Sequence, residues 1–199
     1  MVLQKLSLLE NAASSTTSKS NLPNSSKLVE ALLDLEKSAR KEKTHYSFSN
    51  LVGCWNLRFI TGTKKSREKA GVVLGAGRYI PRLIKIQIIY HDDSDSALNT
   101  GRVSNCVRFA FVNLSLTGPV KFISQKNILA FDFTSMTIKI FSLKIYDGYI
   151  KNGAARDEEF YQTKVGKQAF FSYFLIQENL IAARGRGGGL ALWGRSLEE

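Results

Sequence analysis

The residue types that carry most enzyme chemistry are sparse in this chain of 199 residues. It has two histidines, His45 and His91, and two cysteines, Cys54 and Cys106, and neither pair has the local spacing of a metal site. No Cys-x-x-Cys, His-Glu-x-x-His or Gly-x-Ser-x-Gly pattern occurs, so the common zinc sites and the nucleophile elbow of α/β-hydrolases have no support. We expect a protein that is not an enzyme, with no metal site, no cofactor and free cysteines.

Two short stretches resemble ligand-binding loops but lack a required residue. The glycine-rich stretch 71–77 is not followed by the Gly-Lys-Ser/Thr of a phosphate-binding loop, and we expect a mobile loop there. The acidic stretch 92–95 resembles the start of a calcium loop, but Ala97 stands where a further oxygen ligand is needed and no terminal glutamate follows. A solvated hairpin explains this second stretch better than a calcium site.

The stretch 184–189, Arg-Gly-Arg-Gly-Gly-Gly, admits two interpretations. Arginines between glycines are typical of segments that bind single-stranded nucleic acid through phosphate contacts and stacking. The apolar runs 180–183 and 190–193 on either side favour instead the turn of a terminal β-hairpin, in which glycines adopt positive φ angles. We favour the hairpin, which leaves nucleic acid as the less favoured partner.

The charge of the chain points to an anionic partner. Twenty-eight Lys and Arg residues stand against 17 Asp and Glu, a net charge of +11. Such a field attracts nucleic acid, acidic proteins or the surface of an anionic membrane. The basic residues are spread along the chain and form no single block, so simple solubility is an equal alternative.

The first 50 residues predict a helical segment interrupted by a linker. Leucines at helical spacing occupy 2–13, and the Ser/Thr/Asn-rich stretch 14–26 has linker composition. A second apolar stripe predicts a helix that ends near Glu42, with Ser25 or Ser26 as its N-cap. No apolar run is long enough to span a membrane as a helix. We divide the chain into a helical segment with its linker, 1–50, and a β domain, 51–195.

After residue 50 the apolar period changes to two, so each predicted strand has one polar and one apolar face. That alternation is typical of an antiparallel sheet. Short turns such as 117–119 connect the strands, and closing them into a barrel removes the exposed edges. The fold class is therefore mainly β, an antiparallel β-barrel with N-terminal α-helices. The predicted strands are 54–60, 83–90, 102–111, 113–116, 120–124, 128–134, 136–145, 169–176, 180–184 and 190–195.

Two motifs stand near the ends of the predicted barrel. The first is Leu35-Glu36 with the later Leu-Val-Gly-Cys-Trp-Asn-Leu-Arg-Phe-Ile-Thr of 51–61. It resembles the LE … L-x-G-x-W-x-L-x-(Y/F)-x-T pattern of the plastid lipid-associated proteins, also called fibrillins. Ile-Gln-Glu-Asn-Leu-Ile-Ala-Ala-Arg-Gly-Arg-Gly-Gly at 176–188 is similar to that family's closing Y-L-D-E-D-L-R-I-x-R-G-x-G-G hairpin. Between them, 103–105 and 131–134 match a V-x-N strand and an F-T strand. The chain departs from the closing motif at Leu175, Gln177 and Ile181, so ligand contacts of those family residues do not carry over.

This resemblance implies a lipocalin-like barrel that binds or carries small lipophilic molecules, such as fatty acids, quinones or carotenoids, without catalysis. It also implies association with photosynthetic membranes or lipid bodies. The expected location is thylakoid-associated or cytoplasmic in a cyanobacterium, or the thylakoid or plastoglobule of a plastid. Because 2–13 falls where the family's first mature helix lies, we expect no transit peptide ahead of it.

For such a function the apolar faces of the strands would line the lumen of the barrel. Arg184 would contact a carboxylate or head group, or would instead form an ion pair or bind the hairpin backbone. Basic residues at Lys64, Lys65 and Arg67 would meet an anionic lipid surface. Alternatively the aromatic residues fill the barrel, and the protein is a scaffold or regulatory partner of lipid-pathway proteins. The candidate lumen residues are Trp55, Leu57, Phe59, Ile86, Ile88, Phe109, Phe111 and Phe174.

Overall fold

The computed structural model describes residues 2–14, 21–62, 77–93 and 99–196. Its helices are α1 (Val2–Ala13), α2 (Ser25–Glu42) and α3 (Gly153–Glu159). Helix α1 has the predicted bounds. Helix α2 ends at Glu42 as predicted, but its N-cap is Asn24, whose side chain accepts hydrogen bonds from the backbone N–H groups of Ser26 and Lys27. Helix α3 lies in a long connection between strands and was not among the helices expected from the sequence.

Eleven strands are present in the described residues, and eight of them close into an antiparallel barrel. Around the barrel each strand pairs with the next in the order β1-β3-β4-β5-β6-β9-β10-β11, and β11 pairs again with β1. The prediction of a mainly β, antiparallel barrel with N-terminal helices is confirmed. The strands are β1 (Gly53–Thr61), β2 (Gly77–Tyr79), β3 (Ile84–Asp92), β4 (Thr100–Phe109), β5 (Val112–Ile123), β6 (Ile128–Phe131), β7 (Ser135–Ile140), β8 (Leu143–Tyr149), β9 (Ala169–Ile176), β10 (Leu180–Gly185) and β11 (Leu190–Arg195).

Strand β5 runs without a break through the turn that was predicted at 117–119, so that prediction is wrong. Its first half, up to Thr117, pairs with β7, and its second half, from Val120, pairs with β6. Gly118 lies at this change of partner, where an added Cβ would come within 2.0 Å of the carbonyl oxygen of Asp132. Glycine is therefore required here by a close backbone approach and not by a turn.

The strand predicted at 136–145 is instead a hairpin of β7 and β8, which extends the sheet beyond the barrel. The turn occurs at Phe141, whose φ of 53° lies in the left-handed region. A phenylalanine seldom adopts that conformation, so nothing in the sequence marked the turn. Among the described strands, the hairpin pairs with the barrel through β5.

The interior of the barrel is filled at one end, which we call the closed end. A short 3-10 turn, Phe48–Asn50, precedes β1, and it buries Phe48 and the following Leu51 among barrel side chains. We call this segment, 48–51, the plug. The Trp55 indole N–H donates to the Leu51 carbonyl at 2.7 Å, and this hydrogen bond ties the plug to the first strand. Residues that share this core and are at most 5% exposed include Trp55, Ile88, Tyr90, Val103, Val120, Phe122, Leu129, Tyr173, Ile181, Ala183 and Trp193.

A second core lies on the outer face of the barrel, under α1 and α2. The helices pack against alternate residues of β9, β10 and β11, so these three strands are apolar on both faces. In β10, Ile181 and Ala183 face the interior, whereas Leu180 and Ala182 face the helices. The N-terminal helices are thus packed onto the barrel over a shared core.

Candidate functional site

The candidate lumen residues divide between different places in the structure. Trp55 and Ile88 lie in the closed end, 0% and 4% exposed, where they are packed by other side chains. Leu57 and Ile86 are half-buried and line a cleft on the side of the barrel. Of these four residues, Leu57 and Ile86 border open space, which is the cleft.

Phe59 and Phe174 do not face the lumen, and their predicted placement there is wrong. Both pack in the second core, under the helices. For Phe59 the cause is a β-bulge between Leu57 and Phe59, where the register with β11 shifts by one residue. A bulge reverses the alternation of faces, so the strand presents Phe59 to the outside.

Phe109 and Phe111 are also placed wrongly by the alternation, because they are 54% and 53% exposed. They flank the tight turn between β4 and β5, in which Ala110 has a φ of 50°. The rings lie beyond the end of the barrel interior. The Phe111 ring instead stacks on Phe141 of the β7–β8 turn, with 4.9 Å between ring centroids.

Arg184 lies on the outer face of β10, where it forms an ion pair with Glu36 of α2. Its Nε donates to Oε1 of Glu36 at 2.7 Å, and its Nη2 donates to Oε2. Its Nη1 donates to the carbonyl of Gly188 at 2.6 Å. From the sequence, Arg184 was expected either to contact a ligand or to bind within the protein. The structure shows the second role, with an ion pair to Glu36 and a hydrogen bond to the hairpin backbone.

The stretch 184–189 forms the turn of the β10–β11 hairpin, as favoured from the sequence. Gly188 has a φ of 84°, which glycine adopts without strain. The second arginine, Arg186, donates to the carbonyl of Gln168 at 2.8 Å. Both arginines of this tract are thus engaged by the protein itself.

Several predicted features lie wholly or partly outside the described residues. These are Lys64, Lys65 and Arg67, most of the glycine-rich stretch 71–77, and Asp95 of the acidic stretch. Cys54 and Cys106 are free thiols. In the described part of the chain no group of three His, Cys, Asp or Glu side chains could hold a metal ion. None of the described helices is both long and apolar enough to cross a membrane.

Away from the closed end, an apolar sheet face is open, and we call it the trough. Ile86 faces Val107 across β3 and β4, Val107 faces Leu114 on β5, and Leu114 faces Ile138 on β7. Strand alternation directs this face to the same side as the buried core residues Ile88 and Val103. The trough is therefore the continuation of the barrel interior, and its side chains are only partly buried in the described structure. Its half-buried residues are Ile84, Ile86, Val107, Leu114, Leu116, Met136 and Ile138.

One polar side chain interrupts the trough. Asn105 stands in register between Ile88 of β3 and Leu116 of β5. Its Oδ1 is buried and has no hydrogen-bond partner among the described residues. A buried acceptor of this kind costs free energy unless a partner is supplied. Asn105 can thus orient a bound molecule that carries a donor.

The trough ends at a group of exposed apolar side chains, which we call the tip. Pairing brings Ile84, Phe109, Val112, Ile140 and Leu143 into one row at the ends of their strands. The tip lies at this edge, and its side chains are all more than half exposed. They are Leu83 (82%), Phe109 (54%), Phe111 (53%), Phe141 (75%) and Leu143 (71%).

Beside the tip, on the opposite face of the same sheet, runs a row of basic side chains, which we call the basic row. Lys85 pairs with Arg108, Arg108 with Asn113, Asn113 with Lys139, and Lys139 with Lys144. Directly opposed like charges destabilise a sheet, so four cations in such a row are unfavourable for folding alone. Asp147 bonds to Lys144 at 2.6 Å, and its charge also acts on Lys139, so it offsets part of this repulsion.

A cleft of about 410 Å³ opens on the side of the trough, where β1 and β3 separate. Strand β1 pairs with β3 only from Gly53 to Asn56. From Phe59 onwards β1 pairs instead with β2, whereas β3 pairs with β4 along its whole length. Ile84 and Ile86, which also belong to the trough, form the apolar lining of the cleft together with other residues. These are Leu57, Tyr79, Ile80 and Pro81, and Ala12 and Leu22 of the N-terminal segment.

The other wall of the cleft is basic. It contains Arg58, Arg82 and Lys85, and none of the described lining residues is acidic. Burial lowers the pKa of the Arg58 guanidinium, and the nearby charge of Arg82 lowers it further. The Arg58 Nε is buried and has no hydrogen-bond partner in the described structure, and the same is true of Oδ1 of Asn56, a residue only 8% exposed. Arg195 also lines the cleft, but its guanidinium lies over the Trp55 ring, 4.5 Å from the centroid.

Comparisons with known proteins do not assign the chain to a family. No family model and no curated protein matches it. Among solved structures, a redesigned β-barrel has a TM-score of 0.33 at 10% sequence identity, covering 75% of this chain and 95% of that one. An NMR structure of a protein from Burkholderia xenovorans has a TM-score of 0.34 at 9% identity, covering 76% of this chain and 87% of that one.

Proposed function

We propose that this protein is a non-catalytic barrel of the plastid lipid-associated type, which binds small lipophilic molecules and associates peripherally with an anionic photosynthetic membrane or lipid body. The observation that carries the proposal is that the apolar trough ends at the exposed tip, directly beside the basic row. An apolar end flanked by cations matches the surface of an anionic lipid layer, which is apolar within and negatively charged at its head groups.

The basic row favours a lipid partner over simple solubility. Like charges oppose each other in this row, and an anionic surface relieves the repulsion that remains between them. Each basic side chain near such a surface contributes about 1 kcal/mol, so the row contributes roughly 3–4 kcal/mol to association. The exposed rings of Phe111 and Phe141 add apolar area that leaves water on contact.

The trough supports binding of a small lipophilic molecule better than the closed end does. A lipophilic site is usually an apolar concavity with few polar groups, and the trough has that composition, with Asn105 as its polar residue. The closed end holds two tryptophans, two tyrosines and two phenylalanines packed together. Because the trough ends at the tip, a molecule can move between lipid layer and protein without crossing water.

The residues that carry the sequence resemblance take defined structural roles. Glu36 of the first motif and Arg184 of the closing motif form the ion pair that fastens α2 to the barrel. Trp55 of the first motif bonds to the plug at Leu51. These contacts hold the fold together, so they support an architecture shared with the family. The contacts to a ligand would then be made by the trough.

A second candidate is a scaffold or regulatory protein that binds lipid-pathway proteins. The filled closed end favours it, because a barrel with a packed interior has no need of a ligand there. In that case the tip and the basic row would meet an acidic protein surface with an apolar centre. Binding of nucleic acid through the basic surface is a weaker alternative, since Arg184 and Arg186 are engaged within the protein.

A titration with a fluorescent fatty acid tests the proposal. We expect saturable binding, and we expect Ile138→Ser in the trough to weaken it about tenfold, because burial of such a side chain is worth about 1.5–3 kcal/mol. The matched control is Ile89→Ser. Ile89 is also half-buried, but it points outward between the inward-facing Ile88 and Tyr90. Equal losses in the two variants, or no saturable binding by the wild type, would remove the lipid-binding proposal in favour of the scaffold.

A further inference from the structure

The cleft between β1 and β3 combines two surfaces that an amphipathic anion requires. Its apolar wall, with Ile84 and Ile86, continues into the trough. Its basic wall, with Arg58 and Arg82, is lined by no acidic side chain of the described residues. Ile84 and Ile86 are thus shared by the trough and by a cleft whose other wall is positively charged.

One donor of the basic wall is held out of water without a hydrogen-bond partner. The Arg58 Nε is buried and makes no hydrogen bond within the described structure. A buried donor of this kind is costly unless an acceptor binds to it. The charge of Arg82 near Arg58 adds repulsion that an anion would offset.

We infer that this cleft binds the anionic head group of a single-chain lipid, a long-chain carboxylate, whose hydrocarbon tail occupies the trough. The carboxylate accepts from the guanidinium groups of Arg58 and Arg82, a charge-assisted arrangement that arginine favours. This inference rests on the proposed function, because it places the tail in the same trough. It adds the chemical class of the ligand and the residues that select it.

The test compares cis-parinaric acid with its methyl ester, which has the same tail and no charge. We expect the wild-type protein to bind the acid about tenfold more tightly than the ester, since a hydrogen-bonded charge is worth that much or more. Arg58→Gln should remove this preference by weakening only the acid. Lys164→Gln, which removes an equal charge from an exposed position outside the cleft, the tip and the basic row, should keep the preference.

Each other result has a defined meaning. If Arg58→Gln does not fold, as judged by circular dichroism, Arg82→Gln must show the same loss of preference, and its failure to do so would refute the inference. Equal affinity of the wild type for acid and ester would refute the inference and leave the proposed function intact. Absence of binding for both probes would refute the proposed function itself. If inorganic phosphate alone binds the cleft as tightly as the acid does, the site is one for small anions and the lipid assignment is wrong.

Discussion

Replacing Arg184 with methionine is expected to lower the free energy of unfolding by about 2–4 kcal/mol, because the carboxylate of Glu36 would lose its main partner while remaining buried. Glu36 is 8% exposed, so it cannot recover the lost bonds from water. The value lies below that of a fully buried pair, since 27% of the Arg184 side chain is exposed and Arg40 still bonds to Glu36 at 2.8 Å. Urea denaturation of the two proteins at neutral pH measures the difference.

The matched control for this variant is Arg40→Met. Arg40 bonds to the same carboxylate, but its side chain is 73% exposed. An exposed ion pair of this kind contributes between zero and about 1 kcal/mol. If Arg40→Met is as destabilising as Arg184→Met, the buried pair does not fasten α2 to the barrel in the way we describe.

The same pair predicts a dependence of stability on pH. Burial raises the pKa of Glu36, but the hydrogen bonds and charge of Arg184, helped by Arg40, outweigh it, so the folded pKa lies below the ordinary value of 4.5. A depressed folded pKa gives stability that is present above 4.5 and is lost as the pH falls through the folded pKa. Arg184→Met should therefore lose less stability than the wild type between neutral pH and the acid range. An identical decline in both proteins would contradict this.

Replacing Phe141 and Leu143 together with aspartate is expected to weaken binding to anionic vesicles about 100-fold or more. The two side chains are 75% and 71% exposed in the free protein. Their transfer from water into a lipid layer therefore contributes about 3 kcal/mol in total to the binding free energy. Aspartate also repels the anionic head groups. Co-sedimentation with vesicles of phosphatidylcholine and phosphatidylglycerol measures the effect, and stability should change little because neither side chain is packed in a core.

The control is Leu3→Asp with Leu33→Asp, which makes the same change of charge on the helices. These two leucines are 80% and 45% exposed, and they lie on α1 and α2, away from the tip. If the control weakens vesicle binding as much as the tip variant, net charge and not the tip governs association. For the wild type, binding should also fall steeply with added salt, because the basic row acts through charge.

The parts of the fold that the sequence predicts well are those with regular alternation and ordinary ends. Helix α1 and strands β9 and β11 have the predicted bounds. Prediction fails where a distant contact decides the local structure. Gly118 and Pro119 are typical of a turn, yet they lie inside β5 because the backbone of Asp132 passes close to Gly118.

The sequence predicts what kind of candidate site the barrel has, an apolar inner face, but not which residues form it. Apolar alternation correctly indicates inward-facing residues such as Ile86 and Ile88. It cannot show that a bulge turns Phe59 outward, nor that the interior is filled at one end and open at the other. The basic row and the cleft depend on the register between strands and on the divergence of β1 from β3. In the sequence, Arg58 is one of the polar residues that alternate with apolar ones in the predicted strand 54–60, and nothing else distinguishes it.

Cross-linking with a photoreactive fatty acid shows whether the lipid lies in the trough, because it reports the position of the lipid without altering the protein. After irradiation and proteolysis, mass spectrometry identifies the labelled peptides. We expect labels in β3, β4, β5 and β7, at trough residues such as Ile86, Val107 and Ile138. Labels concentrated on Tyr173 and Trp193 of the closed end would contradict this expectation.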